Sequence, residues 1–126
     1  MQVQSTVRID PATLKRISQA QAKALEKTAE ELHKEIQQAQ VMPRDTGKLQ
    51  GKGTFVDYSR VERGTASIVS NTPYARRLYY HPEYDFSTEE NPNARGKWFE
   101  SWMKGGEHED FARKTYKKFL KREIGG

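Results

Sequence analysis

Apolar and polar side chains alternate at the beginning of the chain. Val3, Ser5, Val7 and Ile9 occupy every second position, and the residues between them are polar. A period of two places these side chains on one face of a β-strand. We therefore predict an N-terminal strand within residues 1–10, with one face suited to a core.

The spacing changes to that of a helix in residues 11–42. Asp10 and Pro11 have the residue types preferred at an N-cap and at the first helical position. Good helix formers dominate the stretch, and no glycine or proline follows until Pro43. The pattern predicts a single helix of about 30 residues, which would span about 45 Å. A heptad-like stripe on it suits either the core or a contact between subunits. The stripe consists of Leu25, Ala29, Leu32, Ile36 and Ala39.

A turn and a β-hairpin are predicted in residues 43–71. Pro43 and Gly47 end the helix and turn the chain. Two runs rich in β-branched and aromatic residues follow, at 54–58 and 65–70. The loop between these runs carries several charges, so we predict a hairpin with a longer charged connection.

We predict an aromatic-rich loop region followed by C-terminal helices in residues 72–126. Residues 74–80 predict a short helix, and residues 81–96 have turn chemistry. Trp98, Phe99 and Trp102 have helical spacing within 94–103. A last amphipathic helix is predicted over 107–123, and its apolar side comprises Phe111, Thr115, Tyr116, Phe119 and Leu120. The elements together predict one α+β domain, with the long N-terminal helix packed on a small antiparallel β-sheet.

The composition indicates that this domain has few apolar residues for a core. The chain has 126 residues, of which 34% are apolar and 31% charged, and it has no cysteine. The mean hydropathy is −0.99. We expect burial between subunits to supplement a thin core.

The absence of cysteine excludes disulfides, thiolate nucleophiles and cysteine zinc sites. No apolar run approaches the roughly 20 residues of a membrane helix. The chain start lacks the apolar region of a signal peptide, which favours synthesis and assembly in the cytoplasm.

Positive charge is concentrated in the middle of the sequence. The net charge is +5, and residues 43–80 carry seven basic against three acidic side chains. The basic run near the C-terminus follows Glu107, Glu109 and Asp110, an order that complements a helix dipole. The middle region is therefore the better candidate for a positively charged binding surface. Arg60 and Arg63, in the hairpin loop, are candidates to face a DNA channel or an acidic partner.

Motifs for catalysis are incomplete. Asp45, Thr46 and Gly47 match the aspartic-protease tripeptide, but no apolar strand precedes them. His81 lies near Glu83 and Asp85, an arrangement more typical of a solvated loop than of an ion site. A hydrolase would need a base, a nucleophile and an orienting group together, and the sequence indicates no such set. We predict no enzymatic activity, no cofactor and no bound metal.

The density of aromatic residues gives a stronger signal for binding. Tyrosine, phenylalanine and tryptophan are interleaved with basic residues between Tyr74 and Trp102. Such residues favour the energetic centres of interfaces, can stack on bases, and can equally form a small aromatic core. The protein-interface candidates are Arg76, Arg77, Tyr79, Tyr80, Trp98 and Trp102.

Two motifs resemble those of a known family. After the predicted long helix, residues 43–49 read P-R-D-T-G-K-L; after the predicted hairpin, residues 71–75 read N-T-P-Y-A. Both motifs and their order resemble the tail-completion, or neck, proteins of long-tailed bacteriophages. Residues 79–99 resemble a subgroup described as minor capsid proteins. The family-motif residues are Asp45, Thr46, Gly47, Leu49, Asn71, Tyr74 and Ala75.

The resemblance implies a structural virion protein without catalysis. It implies a homo-oligomeric ring, commonly a hexamer, in the neck between head and tail, assembled in the host cytoplasm. The implied partners are head-completion or stopper proteins and the tail terminator or tail tube proteins. Genomic DNA would pass through the ring without sequence readout, and no membrane is involved. The basic composition leaves a small nucleic-acid-binding protein as the alternative.

Overall fold

In its described residues, the protein combines a three-stranded antiparallel sheet with three α-helices. The computed structural model describes residues 3–8, 18–42, 53–72, 75–83 and 93–125. Within these residues the strands are β1 (Val3–Arg8), β2 (Thr54–Asp57) and β3 (Thr65–Ser70), and the helices are α1 (Gln19–Gln38), α2 (Ala75–Tyr79) and α3 (Phe111–Glu123). Short 3-10 turns occupy Val61–Arg63 and Glu100–Trp102. The prediction of a mixed α and β protein with a small antiparallel sheet is confirmed at this level.

The sheet has the order β1-β3-β2, with β3 in the centre. The predicted hairpin is present as β2 and β3, and Ser70 of β3 lies opposite Thr54 on one side and Val3 on the other. Along β1, Val3 and Ser5 are buried, whereas Gln4 and Thr6 are exposed, as the alternating sequence predicts. Both β1 and β2 are therefore edge strands within the described part of the chain.

Helix α1 begins later than the sequence predicted. Ser18 is its N-cap, with the extended backbone angles φ −66° and ψ 162°. The Gln21 N–H donates to Ser18 Oγ at 3.1 Å, and the Ser18 N–H donates to Gln21 Oε1 at 2.9 Å. The prediction of a continuous helix from residue 11 is wrong, because the backbone of Ser18 is extended and the capping box starts α1 at this residue. Asp10 and Pro11 lie outside the described residues.

The C-terminal end of α1 also comes earlier than predicted. Ala39 is the C-cap, and Gln40 adopts a left-handed φ of 55°. The helix therefore has 20 residues, a length of about 30 Å. Residues 39–42 leave the helix before Pro43, and Met42 is fully buried beside the sheet core.

Replacing Ser18 with alanine should weaken the start of α1. The change removes the acceptor for the Gln21 N–H, and loss of such a cap costs about 1 kcal/mol. Urea unfolding followed by circular dichroism measures this loss as a lower midpoint with an unchanged slope. Ser18→Asp retains a side-chain acceptor and should stay close to the wild type. Equal stability of Ser18→Ala and wild type would contradict the capping box.

The apolar stripe of α1 lies in the core. Leu25 and Ala29 pack with Val61 and Ala66, and they form one buried cluster. Leu32 and Ile36 belong to a second cluster that also contains strand and loop residues. Since these four stripe residues are at most 2% exposed, burial supports the core interpretation over a subunit seam. The other members of the second cluster include Val3, Met42, Ile68, Ala75, Tyr79, Trp98, Phe99 and Trp102.

The C-terminal third departs from the predicted helices. Residues 94–103 form turns and one 3-10 segment instead of a helix. Helix α3 starts at Phe111, so Glu107, Glu109 and Asp110 precede its first turn. Its predicted apolar side is half-buried, and the helix packs against α1. Lys27 of α1 and Glu123 of α3 form an ion pair at 3.1 Å across this contact.

Candidate interaction surface

A compact aromatic core joins the end of α2 to the segment around residue 98. It consists of Tyr79, Trp98 and Phe99. The Tyr79 and Trp98 rings meet edge to face, with centroids 4.8 Å apart, and the Phe99 ring lies 5.8 Å from Tyr79. Trp98 Nε1 donates to Ser70 Oγ at 3.3 Å, which ties the cluster to β3. Burial raises the pKa of Tyr79 to about 12. These contacts hold the segment around residue 98 against the sheet.

The six predicted interface residues divide into two groups. Tyr79, Trp98 and Trp102 are 7%, 1% and 8% exposed, because they fill the core. Their burial fits the alternative of an aromatic core, and the prediction that they lie at or beside protein contacts stays a prediction. Arg76, Arg77 and Tyr80 are exposed on and beside α2.

The exposed group forms a continuous surface around α2. The Arg76 guanidinium lies 5.8 Å from the centre of the Tyr80 ring, within range of a cation–π contact. Tyr80 is 56% exposed, and its ring also contacts the edge of Tyr79. Beside it, His81 Nδ1 and Glu83 Oε2 are 2.8 Å apart, and this hydrogen bond lowers the pKa of Glu83. We call Arg76, Arg77 and Tyr80 the α2 surface.

The hairpin loop holds Arg60 and Arg63 in defined positions. Val61 anchors the loop in the core, and the Gly64 N–H donates to its carbonyl at 2.9 Å. Gly64 has a φ of 86°, a left-handed conformation that favours glycine. Arg60 and Arg63 are both exposed. Their contact with a DNA channel or an acidic partner stays a prediction.

Tyr58 joins the end of β2 to α1 through a short polar contact. Its hydroxyl donates to Glu30 Oε2 at 2.6 Å, and the side chain is 43% exposed. Burial, the hydrogen bond to Glu30 and the nearby Glu30 and Glu26 charges raise the pKa of Tyr58 to about 12. This margin of the protein is therefore rich in carboxylates, with Asp57 also at the end of β2.

The raised pKa of Tyr58 predicts a stability change at high pH. The folded chain holds the Tyr58 proton more tightly than the unfolded chain, whose pKa is near 10. The stabilisation is thus fully present below pH 10 and is lost as the pH rises through about 12. Absorbance titration of tyrosinate should show one late-titrating group missing in Tyr58→Phe. Glu30→Gln should shift that group back towards 10; an unchanged late titration in both variants would contradict the assignment.

A groove runs between β1 and α3. Its volume is about 640 Å³, within the range of small-ligand and peptide sites. Residues 4–7 of the β1 edge form one side, and α3 and the turn after Trp102 form the other. Trp102 Nε1 and Tyr116 Oη are buried beside it and have no hydrogen-bond partner within the described residues. Local sequence patterns do not predict this groove, because it depends on the pairing that makes β1 an edge strand.

Helix α3 presents a basic face on its outer side. Lys114, Lys117, Lys118 and Lys121 are exposed. Lys118 and Arg122 lie 5.4 and 5.8 Å from the centre of the Phe119 ring. The acidic residues that precede α3 do not lie within its helical turns. The α3 face is therefore a second basic surface besides the hairpin loop.

The family-motif residues are only partly described. Asn71 follows β3, and its N–H donates to the Gly53 carbonyl at 2.9 Å. Ala75 is fully buried at the start of α2, where its N–H donates to the Thr72 carbonyl at 3.0 Å. These bonds link the hairpin to α2. Asp45, Thr46, Gly47, Leu49 and Tyr74 lie outside the described residues.

The described residues contain no group of three histidine, aspartate or glutamate side chains that could hold a metal ion. No helix among them is long and apolar enough to cross a bilayer. His33 is half-buried, and burial lowers its pKa.

Comparisons of the chain with protein-family models, curated proteins and solved structures found no match.

Proposed function

We propose that this chain is a structural protein of the bacteriophage neck. In this proposal, copies form a ring that joins the head-completion proteins to the tail and lets the genome pass. The observation that best supports this proposal is the order of structural elements around the two motifs. A helix precedes the D-T-G-K-L segment in the chain, and the β2-β3 hairpin is followed by Asn71 and then by α2, which begins at Ala75. This is the order that the resemblance implies.

The character of the surface supports an assembly role. Among the described residues, five large apolar or aromatic side chains are exposed by 37% or more: Phe55, Tyr58, Tyr80, Met103 and Ile124. Exposed aromatic residues beside arginine are typical of protein interfaces. The α2 surface comprises the exposed members of the six predicted interface residues. We propose that it meets a neighbouring component of the neck.

Purified virions provide the direct test. The proposal expects the chain in complete particles at a fixed low copy number, measured by quantitative mass spectrometry. It also expects that loss of the gene yields separate heads and tails in electron micrographs. Arg76→Glu should impair joining without loss of the folded protein, with Lys114→Glu as a charge-matched control. Absence of the chain from virions would refute the proposal.

Nucleic-acid binding is the second candidate function. It rests on the exposed basic residues of α3 together with Arg60 and Arg63. A dedicated DNA-binding protein should bind duplex DNA tightly in solution, with an affinity that falls steeply with salt. A neck protein should bind free DNA weakly. Binding measured across a salt series therefore separates the two functions.

A further inference from the structure

We propose that the C-terminal half of helix α3 binds the phosphate backbone of duplex DNA without reading its sequence. The inference rests on the neck function proposed above, in which the genome passes the ring, and it names the surface that would meet that DNA. The surface consists of four basic side chains, and we call it the distal α3 face. Its members are Lys117, Lys118, Lys121 and Arg122.

The helical period places these four side chains next to one another. Lys117 and Lys121 are four residues apart, and so are Lys118 and Arg122, so the four form two adjacent rows along the helix. A rise of 1.5 Å per residue separates the members of a row by about 6 Å along the axis. All four are exposed, and they line one concavity of about 630 Å³. One ligand can therefore contact all of them at once.

The charge of the distal α3 face is not paired within the described residues. None of its four side chains forms an ion pair there. The only carboxylate within α3 is Glu123, which pairs with Lys27 of α1 at 3.1 Å. Asp110, just before the helix, pairs with Arg113 at 3.1 Å. The four positive charges are therefore available to an anionic ligand.

The helix dipole accounts for only half of these charges. Cations are favoured in the last turn of a helix, and the effect falls off beyond that turn. Lys121 and Arg122 lie in the last turn of α3, whereas Lys117 and Lys118 precede it. Like charges four residues apart on a helix repel each other. An anionic ligand on this face would relieve that repulsion.

Duplex DNA fits the distal α3 face better than a membrane or a protein does. A helix that lies on a membrane buries its apolar side among the lipids, but Phe111 and Tyr116 of α3 pack against the two core clusters. The centres of protein interfaces are depleted in lysine, whereas three members of this face are lysines. Lysine is a compact charge on a flexible stem. Because a duplex carries one negative charge per about 1.7 Å of its axis, each side chain can reach a phosphate.

The hairpin loop is the competing surface, and its charges are balanced. Residues 57–63 carry Arg60 and Arg63 but also Asp57 and Glu62, so their net charge is zero. Residues 117–122 carry four basic side chains and no acidic one, which gives +4. Since phosphate contacts depend on net positive charge, we assign the DNA to α3.

The salt dependence of DNA binding tests this assignment. Fluorescence anisotropy measures binding of the whole chain to a labelled duplex of mixed sequence, over about 50 to 200 mM salt. Four phosphate contacts give the logarithm of the binding constant a slope of about −3.6 against the logarithm of the salt concentration. Lys117→Gln combined with Lys121→Gln should make the slope shallower by about 2. The affinity of single copies is expected to be weak, so the slope is the decisive quantity.

Two further double variants are the controls. Lys117→Arg combined with Lys121→Arg keeps both charges and should keep the slope of the wild type. Lys34→Gln combined with Lys104→Gln removes two exposed lysines outside α3, and it should also leave the slope unchanged. A second duplex of different sequence should bind equally, because phosphate contacts carry no sequence information.

Several outcomes would overturn the inference. Equal flattening of the slope by both pairs of glutamine substitutions would show that binding depends on total charge alone. Flattening by Arg60→Gln with Arg63→Gln, in place of the α3 variant, would move the contact to the hairpin loop. Tighter binding to phosphatidylserine vesicles or to polyglutamate than to DNA, at the same salt concentration, would assign the face to a membrane or an acidic protein.

The neck proposal and this inference can fail independently. If the chain is present in virions but the α3 variant keeps the full slope, only the inference about α3 is refuted. If the chain is absent from virions but the α3 variant flattens the slope, only the neck proposal is refuted.

Discussion

Trp98→Ala is expected to destabilise the fold by about 3–5 kcal/mol, the range for removing a large buried aromatic side chain. Trp98 is 1% exposed, contacts the rings of Tyr79 and Phe99, and donates to Ser70 on the central strand. Single domains have total stabilities of about 5–15 kcal/mol, so the variant would lose a large fraction of its stability. Urea unfolding followed by far-ultraviolet circular dichroism measures the change without using tryptophan fluorescence.

Two variants separate the causes of this loss. Trp98→Phe keeps an aromatic ring but loses the Nε1–H, while Ser70 Oγ retains its 2.8 Å hydrogen bond with Thr54 Oγ1. We expect an intermediate loss of stability. Tyr80→Ala removes an aromatic ring that is 56% exposed and should change stability by about 0.5 kcal/mol or less. Similar losses for Trp98→Ala and Tyr80→Ala would contradict the placement of Trp98 in the core.

Local patterns predicted the elements better than their ends. The alternation around Val3 and the β-rich runs on either side of Arg60 have strong short-range signals, and both predict strands that the structure contains. The predicted start of α1 is wrong because Asp10 and Pro11 also have the residue types of a helix start. Ser18 and Gln21 carry the spacing of a capping box, so the sequence did contain the signal for the observed start.

Tertiary packing explains the errors in the aromatic region. Trp98, Phe99 and Trp102 have helical spacing, but Lys97 adopts a left-handed φ of 48° and Gly96 approaches the backbone of Pro82. These constraints favour turns, which still direct the three rings into one core. Composition alone cannot tell a buried aromatic cluster from an exposed one. The pairing of β1 with β3 is likewise a long-range contact, so neither the edge strands nor the groove could be read from local sequence.

The exposed part of the candidate site follows from that packing. α2 is a short helix that buries Ala75 and Tyr79, and the helical period then turns Arg76, Arg77 and Tyr80 outwards. The sequence placed these residues in one candidate set with Tyr79, Trp98 and Trp102. It could not assign them to opposite sides, because the direction of a five-residue helix depends on the core beneath it. The buried rings therefore hold the segment against the core, and the arginines lie on its exposed side.

Gly106→Ala is expected to have the second large effect, a loss of about 1–3 kcal/mol or more, as for overpacking at a crowded site. A Cβ atom at Gly106 would stand 2.5 Å from the Ser101 carbonyl oxygen and closer still to that of Glu100. Both oxygens belong to the backbone of the 3-10 turn that carries Trp102, so a side-chain rotation cannot relieve the overlap. The turn must shift, and Trp102 with it. Thermal unfolding should show a lower midpoint, and tryptophan emission should move to longer wavelength as Trp102 becomes exposed.

The neighbouring glycine provides a matched control for this prediction. Gly105 has a φ of 86°, and a Cβ atom there would meet nothing within 4 Å. Gly105→Ala therefore carries only the backbone strain of a left-handed residue, about 1–2 kcal/mol, and it leaves Trp102 in place. We expect it to lower stability without a shift in tryptophan emission. If both variants shift the emission equally, or if Gly106→Ala leaves it unchanged, close packing of Gly106 does not position Trp102 beside the β1 groove.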